Sequence, residues 1–200
     1  MIDQSKILKT GTTTVGIVTK DAVILATESQ ATMGYLIATK KAQKLHKITP
    51  YIAMTISGSV ADCQQIVRNI RANIKLYELE NNRRASVKSV ARLTANLLFE
   101  NRLNPYTSQL LIGGYDDEGP HLYSLDPLGS IIEEDAFVST GSGSVIAYGV
   151  LEDGYSSDLD TRKAIELAKK AIDAARKRDA ASGGEIQLFV ITKKGIEVPS

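Results

Sequence analysis

Gly11-Thr12-Thr13-Thr14-Val15-Gly16-Ile17 is the stretch from which the fold is read. From Thr13 to Thr19 it is β-branched and apolar, and Ala22 to Thr27 repeats that character after Lys20-Asp21. Two such runs joined by a short polar turn predict a β-hairpin. The first residues of the stretch are chemically unusual. A threonine hydroxyl is a poor nucleophile and becomes useful only beside a base. A cut after Gly11 would give Thr12 its own α-amine as that base. Residues 1–11 would then be a propeptide and residues 12–200 one domain.

Working outward, Tyr51 to Ser57 is a third strand and ends at Gly58. Ile66, Ile70, Ile74 and Tyr77 then recur at helical spacing, predicting a helix over about Val60 to Glu80. Ser86 is the N-cap of a second helix with Val87, Val90, Ala91, Thr94, Leu97 and Leu98 on one face. Asn104-Pro105 closes that segment. Strands are expected at Gln109–Ile112, His121–Leu125, Ser130–Glu133 and Ala136–Ser139. A short helix is expected at Ser144–Leu151. Thr161–Lys177 is the clearest amphipathic segment, with Ala164, Leu167, Ala168, Ala171, Ile172 and Ala175 on one stripe. Alanines there imply close packing on a flat surface such as a sheet. Glu185–Thr192 and Ile196–Val198 are the last strands.

This order predicts an α+β domain. Short turns between strands favour antiparallel pairing. Two sheets face to face with helix pairs outside would bury every apolar face, giving a four-layer αββα sandwich.

Composition excludes more than it assigns. Two hundred residues suit a single core that buries roughly 70% of the unfolded surface. The net charge of +1 offers no basic field for nucleic acid or an anionic membrane. No stretch has the length of a membrane-spanning helix, and residues 1–11 lack a signal-peptide core. One cysteine, Cys63, fits a reducing, cytoplasmic compartment. The two histidines, His46 and His121, have no ligand spacing, so neither metal nor cofactor is expected. No Gly-Lys-Ser/Thr occurs, which removes a Walker-type phosphate loop.

If Thr12 becomes an N-terminus, its amine has an ordinary pKa of about 7.7–8.0. A nearby cation would lower that value and enlarge the neutral, basic fraction. Lys44 is a candidate cation and Glu28 a candidate partner to hold it, although such a pair is ordinarily a solvated surface pair. Gly58, between strand and helix, offers backbone N–H groups for an oxyanion, as many ordinary turns do. Thr140-Gly141-Ser142-Gly143-Ser144 and Arg178-Asp179-Ala180-Ala181-Ser182-Gly183-Gly184 read individually as helix caps.

Together these segments carry a resemblance. GTTTVGI, ATESQATMG (26–34), KKAQKL (40–45), MTISGSVAD (54–62), QLLIGGYD (109–116), STGSGSVIAYGVLE (139–152) and RDAASGG (178–184) occur in one order along the chain. From Thr12 onward the sequence resembles β-type subunits of the 20S proteasome, most of all the archaeal kind. The resemblance implies the N-terminal nucleophile hydrolase fold and threonine-type endopeptidase activity. Thr12 would be the nucleophile, with its freed amine as base. Lys44 would tune that amine and Glu28, where many relatives carry aspartate, would pair with Lys44. Ser142, Asp179 and Ser182 would position the amine, and Gly58 N–H would bind the oxyanion. Thr32 would hold the substrate main chain as an added strand.

Ala31, Ala42, Ile56 and Val60 match positions lining the pocket for the residue before the scissile bond, with His46 near its rim. Their apolar character implies a preference for large hydrophobic residues. The resemblance further implies self-cleavage between Gly11 and Thr12. It implies heptameric β rings stacked on each other and on α-type rings, fed with unfolded polypeptide by an unfoldase ATPase. An α-type subunit is not expected, because no helical extension precedes the first strand. The alternative is a structural β-type subunit that completes a ring and stays unprocessed. A single-type bacterial relative and an unrelated amidase of the same fold rank behind it.

Overall fold

A computed structural model describes residues 11–199, so all but one residue of the expected propeptide lies outside the described residues. The N-terminal hairpin forms as expected, from β1 (Thr14–Val18) and β2 (Val23–Glu28). They are followed by β3 (Ala31–Met33), β4 (Leu36–Thr39), β5 (Leu45–Lys47) and β6 (Ile52–Gly58). Helices α1 (Val60–Asn81) and α2 (Val87–Glu100) come next. Strands resume with β7 (Ser108–Asp116), β8 (Gly119–Leu125), β9 (Ile131–Glu133) and β10 (Phe137–Thr140). Helices α3 (Ser144–Gly154) and α4 (Thr161–Arg178) precede β11 (Ile186–Thr192) and β12 (Gly195–Glu197).

One five-stranded sheet has the order β10-β1-β2-β11-β12 and the other β5-β6-β7-β8-β9, and every pairing is antiparallel. The period-two alternation of strands divides their side chains between two cores. On β2, Val23 and Leu25 face the other sheet, where they meet Leu45, Ala53, Leu111 and Leu122. Ile24 and Ala26 face outward against Ala164, Ala168 and Ile172 of α4. On the second sheet Ile52, Met54 and Ile56 pack beneath Ile66, Ile70 and Val90 of α1 and α2. These are the four layers of the αββα sandwich. Burying a side chain such as Ile172, which is fully enclosed, stabilises the fold by roughly 1.5–3 kcal/mol.

Local signals explain the helix boundaries. The Ser86 hydroxyl accepts the N–H of Ser89 at 3.1 Å, and Asp160 accepts that of Lys163 at 2.8 Å. Each satisfies one of the free donors of a first helical turn. Alanines on the inner stripe of α4 let it lie close against β1 and β2, and Arg176, Lys177 and Arg178 sit favourably at its C-terminal end.

Some expectations need correction. β3, β4 and β5 were not expected, because three or four residues are too few to establish alternation. β7 is longer than Gln109–Ile112, continuing through Gly113-Gly114 to Asp116. Glycine has low strand propensity, and the ladder to β6 and β8 overrides it. α3 runs on to Gly154, and the last strand is Gly195–Glu197.

Candidate active site

Thr12 immediately precedes β1, and the register of the first sheet decides what surrounds it. Thr14 lies opposite Thr27 on β2 and Thr140 on β10. The chain beyond each of those strand ends therefore meets Thr12: Glu28 on one side, Gly141 to Gly143 on the other. β11 begins opposite Glu28, which brings the α4–β11 turn, residues 179–185, to the same place.

Three groups form a continuous buried chain. Lys44 Nζ lies 2.5 Å from Glu28 Oε1 and 2.9 Å from Thr12 Oγ1. The Thr12 hydroxyl donates to the carbonyl oxygen of Gly11 at 2.6 Å. Glu28 is fully enclosed and Lys44 is 4% exposed. Burial pushes the Lys44 ammonium below its ordinary range, while the charges of Glu28 and Asp179 and the Glu28 hydrogen bond act against that shift. Both carboxylate oxygens of Glu28 are fixed. Oε1 also accepts Thr13 N–H at 3.3 Å, and Oε2 accepts Gln30 N–H at 2.7 Å and Gly183 N–H at 3.0 Å. A buried pair this well satisfied is costly to break: removing one partner ordinarily costs about 3–5 kcal/mol.

A second chain runs through hydroxyls. Asp179 terminates α4, its N–H on the carbonyl of Ala175, and its Oδ2 accepts both Ser142 Oγ at 2.5 Å and Ser182 Oγ at 2.6 Å. With its proton committed to Asp179, Ser142 Oγ receives the Thr12 N–H at 3.2 Å. By the same reasoning Ser182 Oγ receives the Thr13 hydroxyl at 2.7 Å. The Thr12 nitrogen is thus held by one network and its side-chain oxygen by the other.

Gly11 is confined between these groups. A Cβ there would stand 1.8 Å from Ala181 Cβ and 2.8 Å from Ser142 Oγ, so any side chain forces its neighbours to move. The Gly11 N–H donates to Thr32 Oγ1 at 3.2 Å. Gly11, Thr12, Ala31, Lys44, Ile56, Gly58 and Val60 line a cavity of about 20 Å³, room for about one water molecule. Gly58 has φ 123°, and a Cβ would be 2.2 Å from the Thr107 carbonyl oxygen, so only glycine turns the chain here between β6 and α1.

Ala42 is not on that wall; it is half-buried on the segment leading to Lys44, its N–H on Ser29 O at 2.8 Å. His46, on β5 two residues beyond Lys44, is buried and outside the cavity wall, with Nε2 unpartnered among the described residues. Desolvation, and then the charge of Arg71, lower its pKa. His121 lies far away on β8, with Nδ1 2.9 Å from Glu133 Oε1.

Sequence reasoning missed several contributors: Thr13, Gln30 and the Gly183 N–H. Thr13 belongs to the opening stretch, and its proximity to Thr12 could have flagged it. The others act through geometry that no spacing reveals.

Comparison with known proteins gives the chain a family. The family model described as "Proteasome subunit" matches residues 8–191. A proteasome subunit beta of Methanocaldococcus fervens is 53% identical over 189 residues, 94% of this chain and 84% of that protein. One from Ferroglobus placidus is 53% identical over 92% of this chain and 88% of its own length. One from Methanocorpusculum labreanum is 50% identical over 98% and 93%. With most of its length matched by the family model and by these beta subunits, the chain belongs to the proteasome subunit family.

Proposed function

We propose that this chain is a catalytic β subunit of a proteasome core particle, made as a precursor and activated by cutting itself between Gly11 and Thr12. The observation that carries the proposal is the Thr12 hydroxyl, 2.6 Å from Gly11 O and 2.9 Å from Lys44 Nζ. The nucleophile, the carbonyl it must attack and a titratable amine are already in contact.

In the first step the Thr12 hydroxyl turns its proton from Gly11 O to a neutral Lys44 Nζ as Oγ bonds to the Gly11 carbonyl carbon. Burial favours the neutral, proton-accepting form of that amine. The oxyanion forms beside the cavity wall that Gly58 contributes, where its N–H is the proposed donor. Collapse breaks the Gly11–Thr12 C–N bond, and the Thr12 nitrogen takes up a proton. This leaves an ester to Oγ and a free α-amine. Water then hydrolyses the ester and releases residues 1–11 as a carboxylic acid.

The freed amine replaces an amide N–H that already rests on Ser142 Oγ, so the new base is created in place. Peptide substrates would follow the same path through an acyl-enzyme on Thr12, with the amine as base and Ser142, Asp179 and Ser182 as its supports. The Gly11 N–H on Thr32 Oγ1 marks where a substrate main chain would be held, although a residue with a Cβ before the scissile bond must sit turned from Gly11's pose, away from Ala181 and Ser142. Ala31, Ile56 and Val60 give that position apolar surroundings, with Ala42 on the adjoining segment, which favours large hydrophobic residues. Rings of β subunits stacked with α-type rings, an unfoldase ATPase, unfolded polypeptide substrates and a cytoplasmic location belong to the same reading. No helix among the described residues is long and apolar enough to cross a membrane.

The test is the intact mass of the chain in particles assembled with α-type subunits, together with hydrolysis of a fluorogenic peptide bearing a hydrophobic residue before the scissile bond. Loss of residues 1–11 with concurrent hydrolysis is expected. A chain that stays full length in assembled particles without hydrolysis would sink the proposal in favour of a structural subunit.

A further inference from the structure

Thr12 and Glu28 belong to the first sheet, at the ends of β1 and β2, whereas Lys44 leads into β5 at the edge of the second. The site therefore depends on how the two sheets are held relative to each other at this edge. One side chain makes that connection at Lys44 itself. Gln187, on β11, accepts the Lys44 N–H through Oε1 at 2.9 Å and donates through Nε2 to the Ala42 carbonyl at 2.9 Å.

Its position follows from strand alternation. Leu188 and Val190 face α4, so Gln187 shares the inward face with Phe189 and Ile191, toward the second sheet. It stands opposite Thr27, the residue before Glu28. The carboxamide meets the backbone of residues 42–44 with one donor and one acceptor, as the peptide group of a neighbouring strand would. The Lys44 carbonyl in turn accepts Ile56 N–H at 2.9 Å. The backbone of Lys44 is thus pinned on one side by its own sheet and on the other by Gln187.

We infer that Gln187 is a positioning residue for the reaction, setting the reach of Lys44 Nζ to Glu28 and Thr12 through these two hydrogen bonds across the sheets. It touches none of the reacting atoms. The inference rests on the proposed catalytic reading and deepens it by naming what registers the lysine against its partners. Residues 40–44 carry no strand pairing of their own apart from the last residue of β4, Thr39, just before them. Without the carboxamide, the segment would keep Ala42 N–H on Ser29 O, the Ser29 hydroxyl on Lys40 O and Ile56 N–H on Lys44 O but lose the tie from Lys44 N–H to the first sheet.

The experiment uses Gln187→Leu, which keeps the approximate volume and removes both hydrogen bonds, and Gln187→Glu, which keeps the acceptor for Lys44 N–H and loses the donor to Ala42 O. Each is co-assembled with α-type subunits beside wild type and Lys44→Ala. Propeptide release is followed by intact mass across pH, and kcat and KM are measured on a fluorogenic peptide. Misplacing a catalytic group by a fraction of an ångström to an ångström costs on the order of 10- to 100-fold. Gln187→Leu should therefore lose about that much in processing rate and in kcat, with KM within about two-fold.

A lysine drawn away from Glu28 loses the carboxylate that raises its pKa, so the rising limb of the processing profile should move to lower pH. Gln187→Glu should recover part of the rate. Lowered thermal stability with unchanged rates and an unmoved pH profile would overturn the inference and leave a purely structural role. Wild-type behaviour of Gln187→Leu beside an inactive Lys44→Ala would also overturn it, while sparing the catalytic reading. Should Gln187→Leu fail to assemble, Gln187→Glu decides the matter by its kcat, which should still fall with KM nearly unchanged, whereas wild-type kcat would overturn the inference. If Lys44→Ala itself is fully active, the catalytic reading fails and the inference with it.

Discussion

The two ends of β6 carry two clusters of ionisable groups that differ in almost every respect. Beyond Gly58 lies the cluster of Thr12, Lys44 and Glu28, sealed from solvent around a cavity of about 20 Å³. Beyond Ile52 opens a cavity of about 590 Å³ bordered by Tyr51, Arg84, Asp116, His121, Tyr123 and Glu133. There His121 bridges Glu133 at 2.9 Å and Asp116 at 3.5 Å, and Tyr123 donates to Glu133 at 2.9 Å. By size and by histidine content the second cluster looks the more enzyme-like. Its jobs are nonetheless accounted for locally: Asp116 Oδ2 accepts the first N–H of α2, at Val87, and Oδ1 accepts Glu118 N–H in the β7–β8 turn. The comparison shows why the proposal rests on a carbonyl beside a buried hydroxyl and amine rather than on volume.

The sharpest way to break this comparison is Thr12→Ala. It should reduce propeptide release and peptide hydrolysis to background, by intact mass and fluorogenic assay, with ring assembly retained. Residual release would place the nucleophile elsewhere. Next comes Lys44. Lys44→Ala and Lys44→Arg should both lower the processing rate by about 10²–10⁴-fold, the usual worth of a general base. Arginine keeps the charge but does not give up its proton, so substantial activity in Lys44→Arg would reduce the lysine to an electrostatic role.

The pH dependence sharpens the same point. The neutral amine is the proposed base, so processing should rise with pH. Burial lowers the folded pKa beneath the free-lysine value of 10.5, which puts the midpoint of the rise below 10.5. The unfolded chain holds that proton to higher pH, so this group's contribution to stability also increases between the folded value and 10.5. A processing rate that falls as the pH is raised from neutrality to 10 would contradict the assignment.

A smaller effect is expected for Gly11→Ala, because overpacking against Ala181 and Ser142 costs about 1–3 kcal/mol. Processing should slow by roughly 5- to 100-fold, whereas any chain that does mature should have wild-type kcat, since residue 11 has left. The least effect is expected at the other cluster. His121→Ala should leave both reactions unchanged and shift stability by less than about 1 kcal/mol, as for partly exposed ion pairs. A large loss of activity there would erase the distinction between the two ends.

Legibility in the sequence followed the length of the pattern. α4 could be read to within a residue because eighteen residues give a full apolar stripe. The first hairpin was legible from two β-branched runs and a polar turn. β3 and β5 were not, since three residues carry no period, and Gly113-Gly114 concealed the second half of β7. For the site, the resemblance named Thr12, Glu28, Lys44, Ser142, Asp179 and Ser182, and the structure brings these six into two hydrogen-bonded chains. Gln30 and Gln187 escaped because a glutamine in or beside a strand looks the same whether it faces water or staples two backbones. Their meaning lies in which atoms they join, and that is settled only by the register of distant strands.

The split of the triad between sheets bears on the life of the chain before it is complete. A nascent chain that has emerged through α2 already contains Thr12, Glu28 and Lys44, yet it lacks β10, Ser142, Asp179 and the strand that bears Gln187. The first sheet has then only its β1–β2 hairpin to offer. The hydrolytic centre is in this sense conditional on translation and folding both having run to the far end of the sandwich. On the proposed reading, a half-made or half-melted subunit carries Thr12 without the neighbours that would make it a nucleophile, so the contacts that would make the site would also prevent its premature appearance.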